Sequence, residues 1–232
     1  MEAINYFYRG ILPHWQPPEA TFFITYRLFG SVPKVVIQSL REIYEMALKE
    51  IQNEHQADFG AIMSQLTLKE RRKIEAILKK KRREEEWLHF NRFDDFLDSN
   101  LNEPHWLRQP ALAQLNADSI HFNANRYFKL WAFCIMSNHI HLLLTMEQKA
   151  PIRWKVMQDM KKYTGREGNK LIGKKGQFLE KESYDHLVRD GRFNRILAYI
   201  LDNPVKAGLV KHWQDWPWTY CGPELLEGEH LG

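Results

Sequence analysis

The sequence predicts an α+β fold, with helices packed on one face of a mainly antiparallel sheet. Residues 22–28 place apolar or aromatic side chains at every second position, which is typical of a strand. Two further apolar runs, 127–135 and 139–146, lie on either side of a brief turn marked by Ser137-Asn138 and therefore predict a hairpin. Helical patterns lie between some of these strands, while tight turns join others. This mixture favours an antiparallel sheet over regular parallel units.

The first half of the chain predicts mainly helices after the first strand. A helix opens at Pro33, and its buried stripe has the spacing i, i+3, i+4 up to Ile51. Residues 66–88 form a second, highly charged helical stretch. Residues 91–110 read as irregular, and residues 111–122 read as a short helix that ends in a turn at Asn123-Ala124-Asn125.

The last part of the chain predicts two helices around a glycine-rich loop. The first helix covers residues 154–171 and is followed by the loop, residues 173–176. After a further segment, residues 178–188, the second and final helix covers residues 193–203. We expect Pro204 to end it, because proline lacks the backbone N–H and clashes with the preceding turn.

Composition favours a cytoplasmic globular protein. A chain of 232 residues is long enough for one sizeable core. No apolar run reaches the roughly 18 residues that a membrane span needs, and the N-terminus lacks the pattern of a signal peptide. The two cysteines, Cys134 and Cys221, are expected to be reduced thiols.

The net charge of +4 is unevenly distributed along the chain. Basic residues at 79–83 are followed directly by acidic residues at 84–86, which is typical of a solvated helix face with local charge pairs. Between residues 153 and 211, basic side chains outnumber acidic ones and are interleaved with glycines. That second region is the better candidate for binding nucleic acid.

The tripeptide His139-Ile140-His141 is the most informative short motif. Strand side chains alternate between the two faces of a sheet, so both imidazoles project from the same side while Ile140 points into the core. Two imidazoles on one rigid strand make half of a metal site. Taken alone, histidines in a strand are more often surface or hydrogen-bonded residues than metal ligands.

The other half of a site is available on the last helix. Tyr199 and Asn203 are spaced i, i+4, so they share one helix face with β-carbons about 6 Å apart. If that face packs over the histidine strand, two imidazoles and an amide oxygen leave open positions on Mg²⁺ or Mn²⁺ for a phosphate. The phenol would then be a nucleophile. Taken singly, Tyr199 could lie at the core edge and Asn203 could simply end a helix before Pro204.

These residues together resemble a known family. The segment 135–144, with its two histidines, is similar to the HUH (histidine-hydrophobic-histidine) motif of single-tyrosine, IS200-like transposases. Tyr199-Ile200 followed by residues 203–210 is similar to the signature of one branch, the REP-associated tyrosine transposases. The resemblance runs from about residue 6 to about residue 220 and is weakest at 51–88. Supporting matches are Pro13-His14-Trp15, residues 22–28, Tyr184-Asp185-His186 with Arg189-Asp190, and Asp215-Trp216-Pro217-Trp218. Ser137 departs from the family, which usually has proline there.

The resemblance implies a ferredoxin-like (RRM-like) HUH fold, as a single domain of residues 1–232 with a helical insertion at about 51–110. It implies that His139, His141 and Asn203 are ligands of Mg²⁺ or Mn²⁺. It also implies that Tyr199 is the catalytic nucleophile. Tyr184 ranks below Tyr199 because it has no ligand-type residue four positions later.

The resemblance further implies the reaction and its partners. The expected activity is metal-dependent cleavage and strand transfer on single-stranded or hairpin (REP-like, palindromic) DNA through a covalent 5′-phosphotyrosine, in DNA transposition or mobilisation of REP elements. A bacterial cytoplasmic protein is expected, located at the nucleoid when bound to DNA, with no membrane partner. A monomer is expected, and a dimer is the alternative. The residues expected to contact DNA are Tyr6, Tyr8, Arg9, Lys161, Lys162, Arg166, Lys174, Lys175 and Lys206.

Other classes of protein fit these residues less well. A metallo-β-lactamase type of site needs an Asp-His pair just after the second histidine, where this chain has Leu142 to Leu144. A histidine-triad hydrolase needs a third histidine at position 143, which is leucine. The remaining rival is a domesticated, non-catalytic nucleic-acid-binding protein on the same fold.

Overall fold

The computed structural model describes most of the chain, in two compact units. The first unit comprises residues 1–31 with 101–232, and the second comprises residues 32–100. The described residues are 7–9, 13–15, 19–53, 66–100, 104–151, 153–189 and 191–226, with only the backbone described at 7–9, 13–15 and 125. A single domain with an insertion at about 51–110 stays a prediction.

The first unit contains a five-stranded antiparallel sheet. Its strands are β3 (Thr21–Arg27), β4 (Phe128–Ile135), β5 (His139–Met146), β6 (Tyr184–Leu187) and β7 (Thr219–Cys221). They lie in the order β6-β3-β5-β4-β7, and β4 and β5 form the predicted hairpin. If β3 to β6 are numbered 1 to 4 along the chain, their order in the sheet is 4-1-3-2, which is the ferredoxin-like arrangement. A separate two-stranded sheet pairs β1 (Phe7–Arg9) with β2 (Pro13–Trp15).

Two helices of this unit cover one face of the sheet. They are α3 (Pro110–Tyr127) and α4 (Arg153–Leu171), which pack against each other. The face beneath them carries Ile140, Leu142 and Leu144 from β5, all fully buried in the main apolar core. The predicted α+β fold class is therefore confirmed.

A third helix, α5 (Phe193–Lys206), packs against β4 and β5. Its contacts place it on the opposite face, so the expectation of helices on one face holds only for α3 and α4. The reason is that this second face also carries apolar side chains, such as Leu143, that need cover. The apolar stripe that α5 buries consists of Ile196, Leu197, Ile200 and Leu201.

Two helix ends differ from the sequence expectation. The turn predicted at 123–125 lies inside α3, where Asn123 Nδ2 donates to the Ser119 carbonyl at 2.7 Å and so stays within the helix. Pro204 does not end α5, which continues to Lys206. The chain leaves the helix in a Schellman turn instead. The N–H of Gly208 donates to the Val205 carbonyl at 2.9 Å, and the φ of +69° at Gly208 lets the N–H of Leu209 donate to the Pro204 carbonyl at 2.9 Å.

The second unit is a pair of packed helices, α1 (Lys34–Asn53) and α2 (Leu68–Ser99). Thr67 and Glu70 form a capping box that begins α2. The irregular reading of 91–110 is wrong over residues 91–99, because the buried positions of α2 extend as far as Leu97. The Tyr44 and His89 rings stack at 4.7 Å between the two helices.

Short elements complete the described chain. They are single 3₁₀ turns at Trp106–Arg108 and Trp213–Asp215 and a final turn of helix, α6, at Pro223–Leu226. Within the described ranges, we find no helix with the length and apolar character needed to cross a bilayer.

The close contact between Gly168 and Phe178 makes a testable prediction about stability. A Cβ at Gly168 would lie 2.9 Å from Phe178 Cζ, and Phe178 is buried at 2% exposure. We expect Gly168→Ala to destabilise the fold by about 1 to 3 kcal/mol through overpacking, less the helix propensity that alanine gains. Thermal and urea unfolding would measure the change.

Gly165→Ala is the matched control for that prediction. A Cβ at Gly165 would lie 3.4 Å from Phe178 Cβ, which is ordinary van der Waals contact. Alanine there should be neutral or stabilise by up to about 1 kcal/mol. Equal losses of stability in the two variants would contradict this explanation.

Candidate metal and tyrosine site

The two histidines of β5 meet at their outer nitrogens. His139 and His141 share the face of the sheet that α5 covers, and their Nε2 atoms are 3.0 Å apart. Both side chains are fully buried. This convergence is what strand alternation predicts for histidines at i and i+2.

The inner nitrogens of both rings have hydrogen-bonding partners. His139 Nδ1 lies 2.7 Å from Asn138 Oδ1, and an amide oxygen only accepts, so Nδ1 donates. In a neutral His139 ring, Nε2 then carries a lone pair. His141 Nδ1 lies 2.8 Å from the Thr25 hydroxyl. Such outer partners fix ring orientation and tautomer in metal-binding histidines. Sequence reasoning did not identify Thr25 or Asn138 in this role.

Asn203 of α5 reaches the same point. Its Nδ2 lies 3.2 Å from His141 Nε2. Its Oδ1 is buried and has no hydrogen-bond partner among the described residues. A buried amide oxygen of this kind is costly unless something binds it. Because the two ends of an amide exchange by rotation, Oδ1 can also occupy the position beside His141.

These three side chains fit a divalent cation. Two adjacent ligands of an octahedral ion with bonds of about 2.1 Å lie about 3.0 Å apart. The Nε2 atoms of His139 and His141 are 3.0 Å apart, and the amide of Asn203 lies 3.2 Å from His141 Nε2. Two imidazoles and one amide leave positions for water or a phosphate oxygen.

Tyr199 stands beside this group on the same face of α5. Its half-buried ring makes edge contacts with His141 at 5.7 Å and with Phe23 at 6.0 Å between ring centres. Phe23 also stacks on His141 at 5.6 Å, so it holds both rings. Lys206 Nζ lies 5.8 Å from the centre of the Tyr199 ring. The structure thus brings together His139, His141, Tyr199 and Asn203.

Tyr184 also approaches this group, but from the other side of Phe23. Its ring centre lies 6.2 Å from that of Phe23, and its strand, β6, pairs with β3. Phe23 was not singled out from the sequence, although its place in β3 directly opposite Leu143 puts it on the histidine face.

The residues expected to contact DNA lie in several places. Lys162 and Arg166 are exposed on α4, and Arg166 Nε pairs with Glu167 at 2.7 Å. Lys174 and Lys175 are exposed in the loop after α4. Tyr6 and the side chains of Tyr8 and Arg9 lie outside the described residues.

Lys161 differs from these exposed cations. Its ammonium donates to the Lys181 carbonyl at 2.8 Å and to the Ser183 hydroxyl at 2.9 Å. Burial lowers the pKa of Lys161 to about 8, against the opposing attraction of Glu180 and Glu182. This geometry favours a structural role for Lys161 over the DNA contact expected from the sequence, and the two roles predict different effects of its removal.

A pair of neighbouring variants separates the two roles. Lys161→Ala should lower the unfolding temperature and leave DNA affinity mostly intact, whereas exposed Lys162→Ala should weaken DNA binding and leave stability unchanged.

The stability that Lys161 contributes should also depend on pH. Its pKa is about 8 in the folded protein and 10.5 for an ordinary lysine, so between these values the unfolded state binds more protons at Lys161 than the folded state does. The contribution of Lys161 to the free energy of unfolding should therefore rise with pH across that range. Thermal unfolding of wild type and Lys161→Ala at pH 7.5 and pH 10 would show a growing difference.

Comparison with known proteins finds a family model and a relative that each match part of the chain. Residues 106–200 match the family model described as "Transposase IS200 like". A protein of Haemophilus influenzae named as a REP-associated tyrosine transposase is 30% identical over 103 residues, which are 40% of this chain and 58% of that protein. The chain therefore matches rather more than half the length of this relative.

One solved structure is similar in outline. It is a REP-associated tyrosine transposase bound to a REP hairpin, with a TM-score of 0.49 and 15% sequence identity. The match covers 91% of this chain and 80% of that chain.

Proposed function

We propose, from the match of residues 106–200 to the model of the IS200-like transposase family, that this protein cuts and rejoins single strands of DNA through Tyr199. The matched residues include His139, His141 and Tyr199. The geometry of the site supports the roles proposed for each of them.

The arrangement that carries the proposal is the contact of a nucleophile with a cation site. Tyr199 lies against His141, whose Nε2 faces that of His139 at 3.0 Å. A phenol has little nucleophilicity at neutral pH because its ordinary pKa is near 10. It therefore needs a phosphate that is positioned and electrostatically activated.

His139, His141 and Asn203 would hold Mg²⁺ or Mn²⁺. When bound, the ion supplies positive charge that withdraws electron density from the scissile phosphate. Thr25 and Asn138 keep the two imidazole rings in the orientation that directs both Nε2 atoms to one point.

Tyr199 performs the covalent step. Its Oη loses its proton to solvent and attacks phosphorus, the bond from phosphorus to the 3′ oxygen breaks, and that oxygen takes up a proton from solvent. The products are a 5′-phosphotyrosine and a free 3′-hydroxyl. Phe23 and His141 restrict the Tyr199 ring, which limits the directions from which Oη can attack. The number of ester bonds is unchanged, so a 3′-hydroxyl can reverse the step without another energy source.

The substrate we propose is a DNA hairpin of the REP type with single-stranded flanks. The Haemophilus influenzae relative carries the REP-associated name, and this chain presents exposed cations on α4 and in the loop that follows it. One chain supplies the nucleophile and all three ligands, so a monomer suffices for cleavage. Its place of action is the bacterial nucleoid, in transposition or mobilisation of such elements.

The test is direct detection of the covalent intermediate. Wild-type protein is incubated with a labelled REP-type hairpin and Mn²⁺ or Mg²⁺, denatured, and separated by electrophoresis. We expect a metal-dependent protein–DNA band whose modified peptide, found by mass spectrometry, contains Tyr199. Hairpin binding without any adduct would favour the rival, non-catalytic DNA-binding protein.

A further inference from the structure

A second candidate site lies in the first unit, and its lining residues include none of His139, His141, Tyr199 and Asn203. It is a cleft of about 440 Å³. Separate parts of the chain contribute to it: the loop after β3, the segment leading into α3, and the loop after α4. Its lining residues are Phe29, Pro104, Trp106, Arg108, Gln109 and Lys174. We call it the Trp106 cleft.

The lining of the Trp106 cleft suits a flat, negatively charged ligand. Lys174 Nζ lies 4.2 Å from the centre of the Trp106 ring, and Phe29 is 46% exposed. Arg108 adds a second cation, and Gln109 adds an amide. Aromatic rings beside cations are the usual means of binding an unpaired nucleotide, because every base has a face that can stack. The volume is within the range of small-molecule sites.

The aromatic walls of the cleft are held in place from behind. The Trp106 ring lies 5.4 Å from the ring of Phe178, which fills the space left by Gly168. The backbone of Phe29 bonds to the backbone of the same residue, because the N–H of Phe29 donates to the Phe178 carbonyl at 2.9 Å. A stacking surface held this way loses little freedom when a ligand binds.

The cleft is connected to the turn that precedes His139. The N–H of Leu107 donates to the Ser137 carbonyl at 3.0 Å, and the Ser137 hydroxyl lies 2.8 Å from His105 Nδ1. On the other side, the N–H of Leu28 donates to the Asn138 carbonyl at 2.8 Å. The cleft therefore lies at the end of the sheet where the histidine strand begins.

We infer that the Trp106 cleft binds one unpaired nucleotide of the strand that Tyr199 cuts. The base stacks on Trp106, and the flexible Lys174 side chain moves from the ring to the adjacent phosphate. The interaction of a cation with a ring at an exposed site is weak, so this exchange costs little. The inference rests on the proposed function and deepens it, because it assigns the recognition of the single-stranded flank to named residues.

The first test compares hairpins with and without a single-stranded flank, in EDTA so that binding is measured alone. Trp106→Ala should weaken binding of the flanked hairpin by about 10-fold, as loss of one stacked base does. It should leave binding of the flankless hairpin unchanged. Trp106→Phe keeps an aromatic face and should retain most of the affinity. Trp154→Ala, which removes an exposed tryptophan outside the cleft, is the matched control.

The second test locates the base. An oligonucleotide with 5-iododeoxyuridine at one flank position at a time is irradiated with the protein, and the crosslinked peptide is identified. One flank position should crosslink to the peptide containing Trp106. This readout uses the folded wild-type chain, so instability of Trp106→Ala does not affect it.

Several outcomes would overturn the inference. They are equal affinity of wild type for flanked and flankless hairpins, equal loss on both substrates in Trp106→Ala, or crosslinks at other peptides only. Competition by a free mononucleotide as strong as that of the flanked hairpin would also overturn it. Failure of wild type to bind any hairpin would instead contradict the proposed function as a whole.

Discussion

Tyr199→Phe should abolish the covalent protein–DNA adduct and lower the rate of hairpin cleavage by about four orders of magnitude or more, as removal of a nucleophile does in other enzymes. The substitution removes only Oη. The ring of phenylalanine can keep its edge contacts with Phe23 and His141 and its place near Lys206. Hairpin affinity and unfolding temperature should therefore stay at wild-type values. Denaturing electrophoresis with a labelled hairpin measures the adduct, and single-turnover kinetics measure the cleavage.

Tyr184→Phe is the control for that result. Tyr184 contacts the same Phe23 ring, but it lies on β6 and not on α5. We expect it to form the adduct at close to the wild-type rate. An adduct that persists in Tyr199→Phe and disappears in Tyr184→Phe would reverse the assignment of the nucleophile.

His139→Ala and His141→Ala should each remove Mn²⁺ binding and metal-dependent cleavage together. Each variant deletes one of the two Nε2 atoms that meet at 3.0 Å. Thr25→Val keeps both ligands and loses only the hydroxyl beside His141 Nδ1, so it should weaken metal affinity by about 10- to 100-fold. Loss of a ligand should cost more than loss of this outer partner. Titration of Mn²⁺, followed by electron paramagnetic resonance, gives the affinities without any cleavage.

Hairpin affinity separates this effect from misfolding. Most phosphate contacts are expected outside the metal site, so both histidine variants should bind the hairpin nearly as well as wild type. His212→Ala, at an exposed histidine elsewhere in the same unit, should change neither property. A parallel loss of hairpin binding and cleavage in His139→Ala would point to a folding defect or a DNA contact instead.

The parts of the site that follow from local periodicity were predictable. The two histidines share a face because strand side chains alternate, and Tyr199 and Asn203 share a face because a helix repeats every 3.6 residues. The hairpin from 128 to 146 follows from two apolar runs around a short turn. None of these predictions needs knowledge of the rest of the chain.

Features that depend on distant partners were not predictable in the same way. Asn123 is a separate, local exception: it reads as a turn residue, but its side chain donates to the carbonyl of Ser119, four residues earlier in α3. The pairing of β3 with β5 and β6 arises from contacts distant in sequence, and so does the placement of α5 on the second face. The Trp106 cleft combines residues more than 140 positions apart.

Tyr199 and Asn203 are one turn apart on α5. The position of this helix therefore affects both proposed ion binding by Asn203 and proposed attack by Tyr199. A state in which α5 has moved away from the sheet would lack the proposed amide ligand and the proposed nucleophile at the same time. By thermodynamic linkage, an ion that binds more tightly when α5 is packed against the sheet also stabilises that packed position. On the proposed function, Tyr199 would then be placed for attack mainly in molecules that have bound the ion, and cleavage by molecules without the ion would be suppressed.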